Sequence, residues 1–364
     1  GGAFGIDGLA LSAGLLPPST VSGRDYPDEG PQRYAVGTAD SILFYYGVGA
    51  AYQLTDDLSI GLTLLNGLLN TRISRPTRPL AQPDNEVTQN EDRYEDHTFV
   101  LDLSDYFVPA GSLGLLYQPA PYLALGLSVR SPVKIEARGQ MGYQIPENPS
   151  FQDSYLATRG GSCAEAWGEY CPGAADLSAV QRFPLVVRAG ARYLGERFDL
   201  EFDLIYENWK AASVQDVLPE GYFVQVQGDI ANAPVPLPAA AVDRELRDVF
   251  SLRVGGDLQV IPGTLDLRAG AFHSPSAYPA DFRTFNLDFP FASQTGLSVG
   301  ASWQLVSQLS ASVFYARIFQ ETVTVSDGKV QQLTATSPNL GNIVNNGRYE
   351  VGLDHFGLAL EGTL

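Results

Sequence analysis

The sequence contains few of the residues on which catalysis and metal binding rely. Its 364 residues include two Cys, one Met and three His. The histidines, His97, His273 and His355, lie far apart along the chain, and neither a Ser–His pair nor metal-ligand spacing accompanies them. The acidic segment 84–91 could hold Ca²⁺ weakly, but a solvated loop is the better interpretation. We therefore expect no enzyme, no metal site and no cofactor.

Basic residues and long apolar runs are scarce as well. Lys and Arg number 23 against 41 Asp and Glu, and the net charge of −18 argues against nucleic-acid binding because phosphates would be repelled. No apolar run reaches the roughly 18 residues that a transmembrane helix needs. A mean hydropathy near zero still allows a membrane β-barrel, in which only alternate residues contact lipid.

What the chain does contain is period-2 alternation, which is clearest in the stretch 111–138. One face of its second strand carries bulky aliphatic side chains and the other carries small or polar ones. The two sets are Leu123, Leu125, Leu127 and Val129 against Ala124, Gly126, Ser128 and Arg130. This alternation predicts a β-strand with a different environment on each face.

The same pattern recurs along the chain as twelve predicted strands. They are 3–15, 41–54, 58–71, 97–117, 122–141, 182–194, 198–210, 247–259, 264–274, 292–305, 308–323 and 346–363. Short connections, such as 55–57 and 195–197, alternate with long ones, such as 142–181 and 211–246. This alternation predicts an all-β, transmembrane antiparallel β-barrel, a single domain over 1–364, with the long loops at one end. The alternative is a soluble sheet with a charged face in water.

Charged residues of both signs occur inside the predicted strands on the face opposite the large apolar side chains. They are Arg188, Arg192, Glu201, Asp203, Arg253, Asp257, Asp266 and Arg268. An Arg that faces lipid near the bilayer midplane costs about 2–4 kcal/mol, so we predict that these residues line a polar lumen. The arginines can pair with carboxylates on neighbouring strands. In the last strand the apolar parity changes, which predicts a β-bulge near Asp354–Phe356.

One hairpin resembles a motif of the FadL family of outer-membrane transporters for long-chain fatty acids and other hydrophobic compounds. The matching residues are Gly114, Tyr117, Pro119, Gly126, Arg130, Ser131 and Pro132. Later hairpins agree in order and spacing, at Pro184 and Trp209, at Ser274–Pro275 and at Asn346–Tyr349. The resemblance covers most of 40–364.

Family members have fourteen strands and an N-terminal hatch. Only twelve strands and no hatch are visible here, so the hatch and first two strands are expected upstream.

The resemblance implies passive uptake of a hydrophobic ligand, with capture by the outer loops and lateral exit through the barrel wall. The exit would lie at a break in the first strand, at Gly14, Leu15, Leu16, Pro17 and Pro18, since Pro cannot donate to the ladder. The alternative is a plain strand end before a long loop. Apolar segments of the loop 211–246 would form the capture surface, or would pack against other loops.

Two arginines and two cysteines gain expected roles from the same resemblance. Arg72 or Arg75, at the end of the third strand, would meet a ligand carboxylate through a bidentate hydrogen bond, or would anchor the strand at the interface. Cys163 and Cys171 would form a disulfide in an outer loop, because the export route crosses an oxidising periplasm. Two free thiols are the alternative.

The expected location is the outer membrane of a Gram-negative bacterium, and the expected partners follow from it. They are the lipid bilayer, lipopolysaccharide and a fatty acid or other hydrophobic small molecule, or detergent in its place, bound by a monomer without nucleic acid. The sequence leaves the ligand open among fatty acids, aromatic hydrocarbons and terpenoids. The rival hypothesis is a structural or adhesive barrel with a closed lumen and partner-binding loops.

Overall fold

The computed structural model describes residues 5–16, 22–25, 31–35, 37–77, 96–144, 155–158, 161–162, 176–225, 235–331 and 343–362. These residues are almost entirely β-structure. The strands are β1 (Leu9–Leu16), β2 (Ser22–Asp25), β3 (Thr38–Thr55), β4 (Leu58–Thr77), β5 (His97–Ala120), β6 (Leu123–Arg130), β7 (Val133–Gln144), β8 (Tyr155–Thr158), β9 (Gly161–Ser162), β10 (Asp176–Phe183), β11 (Val186–Leu194), β12 (Phe198–Glu207), β13 (Val214–Glu220), β14 (Tyr222–Gln225), β15 (Val235–Pro236), β16 (Ala240–Asp243), β17 (Val249–Ile261), β18 (Leu265–Ser274), β19 (Gln294–Val306), β20 (Leu309–Gln320), β21 (Val323–Val325), β22 (Gly347–Tyr349) and β23 (Gly352–Gly362). Two short 3₁₀ helices span Pro31–Tyr34 and Trp209–Ala212. None of the helices described is long and apolar enough to cross a membrane.

Seventeen of the strands form one antiparallel sheet that makes the barrel wall. Around it the order begins with β1 and β2, which pair in succession with β3, and continues with β4 and β5. Then come β6 continued by β7, β11 by β10, β12 by β13 and β17 by β16, and finally β18, β19, β20 and β23. Within the described part of the chain, one edge is formed by β1 and β2, which pair only with β3, and the other by β23, which pairs only with β20. The wall curves back on itself, because Arg75 of β4 interacts electrostatically with Asp288, which follows β18.

Short turns gather at one end of the wall, here the turn end, and long connections at the other, here the loop end. The turns fall at 56–57, 121–122, 195–197, 262–264 and 307–308. The predicted antiparallel barrel with its long loops at one end is therefore confirmed. In the turn-end half the wall carries an apolar belt on its outer surface, shown by Leu297 and Val299 of β19, which are 54% and 59% exposed. Between them Ser298 faces a cavity in the lumen. Such exposure of large apolar side chains suits lipid and not water.

The polarity of the wall reverses in the loop-end half. On β7 the inward side chains of Val133, Ile135 and Ala137 are buried. The outward ones between them are charged, and Glu136 forms ion pairs with Lys134 and Arg138. Inside, the buried residues make one hydrophobic cluster, here the apolar chamber. Its members are Leu43, Leu103, Val108, Val133, Ile135, Ala137, Met141, Leu177 and Tyr222.

The long connections between β16 and β23 form a second hydrophobic cluster at the loop end. Phe285 is fully buried there, and its ring contacts Tyr349 of β22 at 5.0 Å. Asn345 is also fully buried, and its side-chain amide donates to the carbonyl of Phe285 at 2.8 Å. The connections are therefore packed against one another and hold a defined shape over the barrel.

The bulge predicted near Asp354–Phe356 is wrong. The β20–β23 register runs without a shift from Leu309 opposite Gly362 to Phe319 opposite Gly352. Tyr349 lies in β22, which pairs with β21 in a separate sheet. The change of apolar parity therefore marks the boundary between two strands and not an irregularity within one.

Candidate functional site

The apolar chamber contains a cavity of about 100 Å³ against the loop-end wall. Its lining residues are Arg75, Thr77, Phe99, Leu101, Met141, Val217, Pro219, Leu237, Pro238 and Ala240. An apolar cavity of about 150 Å³ is enough to bind benzene, so this one is smaller than a ring needs and has room for a few methylene groups. Arg75 is the charged member of an otherwise largely apolar lining.

Strand alternation turns Arg75 toward the chamber. On β4 the buried residues Thr71 and Thr77 have the same parity as Arg75. The Nε of Arg75 donates to the carbonyl oxygen of Tyr34 at 3.0 Å. Tyr34 is itself fully buried, and its hydroxyl donates to Asp96 at 2.8 Å. The 3₁₀ segment Pro31–Tyr34 thus fixes the guanidinium at the wall of the cavity.

Arg75 has no ion-pair partner among the described residues. The charges that act on it are those of Asp288 and Arg244. Burial lowers its pKa, Asp288 raises it and Arg244 lowers it further. A guanidinium nevertheless stays protonated in proteins, so the cavity wall carries a fixed positive charge.

A second guanidinium lies nearby, and this one is buried and neutralised by a carboxylate. The Nη2 of Arg244 is 2.7 Å from an oxygen of Asp288 and donates to the side-chain carbonyl of Gln215 at 2.7 Å. Its Cζ lies 5.3 Å from the centre of the Phe289 ring. Burial lowers the pKa of Arg244, but Asp288 and Tyr278 outweigh that effect and raise it. The group of Arg75, Arg244 and Asp288 therefore has two positive charges and one negative charge.

The structure separates the two arginines that the sequence offers for a ligand carboxylate. Arg72 is exposed and lies on the outer face of β4, opposite Asp40 of β3 and Asp102 of β5 in the register. Its position is therefore on the surface of the wall, and only Arg75 reaches the chamber.

The segment predicted to form a lateral opening lies at the edge of the sheet. Gly14 and Leu15 contribute to a recess of about 670 Å³ between β1, β3 and β4. Leu16 ends β1, and the register with β3 stops at Leu16 opposite Tyr45. Pro17 and Pro18 lie outside the described residues. Pairing with β3 resumes at Ser22 opposite Ser41.

Among the described residues, none pairs with 42–44 of β3 on the side of β1 and β2. Leu43, the inward-facing residue among them, is 6% exposed and belongs to the apolar chamber. The interruption in the described ladder therefore lies directly outside the chamber.

Toward the turn end the lumen holds two cavities of about 560 and 780 Å³, whose walls carry charged residues among small and apolar ones. Among the predicted lumen charges, Arg188, Arg192, Glu201, Asp203, Arg253, Asp257 and Arg268 line them, and Asp266 shares the face of Arg268 on β18.

The pairing of these arginines is less complete than the sequence predicts. Arg192 pairs with Asp199 at 2.5 Å and with Asp257 at 3.4 Å. The guanidinium of Arg253 instead lies 5.6 Å from the centre of the Phe272 ring. Within the described ranges, Arg188, Arg253 and Arg268 form no ion pairs, since the polar lumen leaves room for water around them.

Several site residues were not predictable by strand periodicity. Tyr34, Arg244 and Asp288 lie in connections, where no alternation indicates a direction. Conversely, the apolar loop residues Val217 and Tyr222 pack into the chamber and do not form an exposed capture surface. Cys163 and Cys171 lie outside the described residues. Among those described, no group of His, Cys, Asp and Glu could hold a metal ion.

Comparisons with known proteins agree with this architecture. A crystal structure described as that of a Pseudomonas aeruginosa FadL homologue is 15% identical to this chain, with a TM-score of 0.69 over 98% of this chain and 76% of that one. That of the Pseudomonas putida toluene transporter TodX is 14% identical, with a TM-score of 0.58 over 87% and 76%. At such identities the likeness shows the fold alone. No curated protein sequence matches the chain.

A family model decides the assignment, because it matches residues 7–349 and so extends over nearly the whole chain. Its description is "Outer membrane protein transport protein (OMPP1/FadL/TodX)". The chain belongs to this family of outer-membrane transport proteins for hydrophobic compounds.

Proposed function

We propose that this outer-membrane protein takes up hydrophobic compounds that carry a carboxylate, such as fatty acids, by passive diffusion. The observation that carries the proposal is Arg75, a partly buried guanidinium without an ion-pair partner among the described residues, on the wall of an apolar cavity. A buried charge is costly unless it is paired. A carboxylate can accept two parallel hydrogen bonds from one guanidinium, while its chain occupies the apolar chamber.

A neutral aromatic ligand is the second candidate, and the solved TodX structure is described as a toluene transporter. The apolar lining of the cavity suits a hydrocarbon as well as part of a chain, although its volume of about 100 Å³ is below the roughly 150 Å³ that holds benzene. Toluene, however, offers nothing to Arg75. The guanidinium therefore favours an acid.

We infer that the ligand leaves sideways through the wall and not through the lumen. An apolar chain gains about 25 cal/mol per Å² of surface kept out of water, and in the cavities toward the turn end charged side chains interrupt the apolar surface. The register along β3 shifts beside Leu43, between Leu16 opposite Tyr45 and Ser22 opposite Ser41, and an irregular edge there gives a shorter path from the chamber to the lipid. A break in the ladder is tolerable where the backbone lines a cavity. A closed structural barrel, the rival hypothesis, has no use for such a chamber.

The test compares Arg75→Gln with Arg72→Gln, two equal losses of charge on opposite faces of one strand. Cells that express equal amounts of each form take up a labelled fatty acid or a labelled neutral hydrocarbon. We expect Arg75→Gln to reduce fatty-acid uptake at low concentration by about tenfold, since a hydrogen bond to a charged group is worth about 1.5–3 kcal/mol. Arg72→Gln should have little effect, and hydrocarbon uptake should change little in either variant. Equal uptake of the acid by Arg75→Gln and the unaltered protein would exclude the proposal.

A further inference from the structure

We propose that Asp288 is an internal counter-ion that a ligand's carboxylate replaces, so that this residue sets how strongly the chamber prefers acids. The inference rests on the proposed function, because it assumes that the ligand's carboxylate binds beside Arg75. It assigns a specificity-determining role to a residue that does not itself line the apolar cavity.

The first step is the charge balance around the cavity. Asp288 is the carboxylate that acts on both Arg75 and Arg244. It forms an ion pair with Arg244 but not with Arg75. One negative charge thus serves two guanidinium groups, of which Arg244 is buried and Arg75 partly buried, and the cluster retains one positive charge for an incoming anion. The incoming carboxylate and Asp288 then compete for the same pair of arginines.

The second step is the unequal exposure of the ion pair. The side chain of Arg244 is 4% exposed, whereas that of Asp288 is 20% exposed. On exchange, Asp288 can therefore turn toward water, but Arg244 cannot. Because an unpaired buried charge is unfavourable, Arg244 needs a replacement anion when Asp288 leaves it. A ligand carboxylate held by Arg75 is placed to supply that anion.

The third step is the position of the segment that carries Asp288. The hydroxyl of Thr284 donates to the carbonyl of Arg244 at 2.7 Å, and both residues are buried. Phe285 and Asn286 are buried as well. The backbone of this segment is thus held against Arg244, and exchange requires only a change of the Asp288 side chain. Replacement of this side chain should therefore change the charge and leave the chamber in place.

The experiment measures binding of dodecanoate and of 1-dodecanol to the purified protein in non-ionic detergent. The ratio of the two affinities reports the preference for the acid, and the alcohol reports the integrity of the apolar chamber. Asp288→Asn raises the net charge of the cluster from one positive charge to two, and we expect the ratio to rise about tenfold. Arg244→Gln lowers the net charge to zero, so the ratio should fall. The double variant should lie between the two single ones.

Two further variants serve as controls for this experiment. Asp281→Asn, in the same connection but exposed, removes an equal charge away from the chamber and should leave the ratio unchanged. If Asp288→Asn alone disturbs folding, the step from Arg244→Gln to the double variant removes Asp288 without leaving Arg244 unpaired, and the ratio should again rise about tenfold.

The outcomes also separate this inference from the proposed function. A ratio that does not respond to loss of Asp288 in either background, while Arg75→Gln lowers it, overturns the counter-ion role alone. A ratio that does not respond to Arg75→Gln overturns the proposed function. A ratio that rises equally in Asp281→Asn and Asp288→Asn shows a general surface-charge effect and also overturns the counter-ion role.

Discussion

Thr77 and His97 lie opposite each other at the outermost register position of the β4–β5 ladder, and both are buried, at 2% and 1% exposure. Thr77 also lines the cavity of the apolar chamber. The two residues therefore form the loop-end margin of the chamber wall, well beyond the apolar belt. Burial lowers the pKa of His97 to about 4, so the imidazole is neutral at neutral pH.

The paired strand ends at Thr77 and His97 should open more often in acid. The folded-state pKa of about 4 is below the ordinary value of 6.5, so an opened state binds the proton more tightly than the closed one. The contribution to stability is complete above about pH 6.5 and is lost as the pH falls toward 4, by about 1.4 kcal/mol per pH unit. Hydrogen exchange of the amides at 99–103, corrected for intrinsic rates, should therefore accelerate between pH 7 and pH 5.

His97→Gln provides the control for that measurement. The variant removes the titrating group, so the additional acceleration in acid should disappear even if the margin is weaker at every pH. The same pH dependence in the variant and in the unaltered protein would show that another group is responsible.

In the turn-end half, adjacent residues of a strand face the lipid and the lumen in turn. The same substitution at two adjacent positions should therefore have different effects on stability. Leu297→Arg places a charge in the apolar belt, which should cost about 2–4 kcal/mol in the free energy of unfolding from lipid vesicles. Ser298→Arg places the same charge in the polar lumen and should cost much less. Equal losses of stability, measured by urea titration in the same lipid, would contradict the assignment of faces.

The sequence was sufficient to predict the strands and the apolar belt, because lipid on one side and a polar lumen on the other impose strict alternation. It was not sufficient to place the chamber. β11 and β7 alternate in the same way, yet the apolar face is outward in β11 and inward in β7. Alternation shows that a strand has an apolar and a polar face. Which of the two faces points inward depends on whether lipid or water lies outside the wall at that height.

The functional site was predictable only in part for a related reason. Arg72 and Arg75 differ by three positions, so period 2 puts them on opposite faces, but it does not reveal which of them points inward. Arg244 and Asp288 come from connections 44 residues apart, and only tertiary packing brings their charges together. The break expected at Pro17 and Pro18 stays a prediction from the rule that proline cannot continue a ladder, since both residues lie outside the described ranges.

The disulfide between Cys163 and Cys171 stays a prediction, since both residues lie outside the described ranges. The prediction is that thiol labelling of the unfolded, unreduced protein modifies neither cysteine, and that labelling after reduction modifies both. Modification of both cysteines without a reducing agent would contradict it. Protein secreted to the outer membrane, and not retained in the cytoplasm, is the material to use.

The exit route can be tested with two glycines that accept a large side chain at different heights of the barrel. A Cβ at Gly14 or at Gly126 would meet no atom within 4 Å. Gly14 pairs with Gly47 on the face that Leu43 shares, at the recess beside the edge strand, whereas Gly126 lines a cavity with charged residues in its wall toward the turn end. Phenylalanine is compatible with a strand at both positions. If the ligand leaves sideways, Gly14→Phe should reduce fatty-acid uptake several-fold and Gly126→Phe should not. If it passes straight through the lumen, the order should reverse, and uptake by cells with equal amounts of folded barrel distinguishes the two routes.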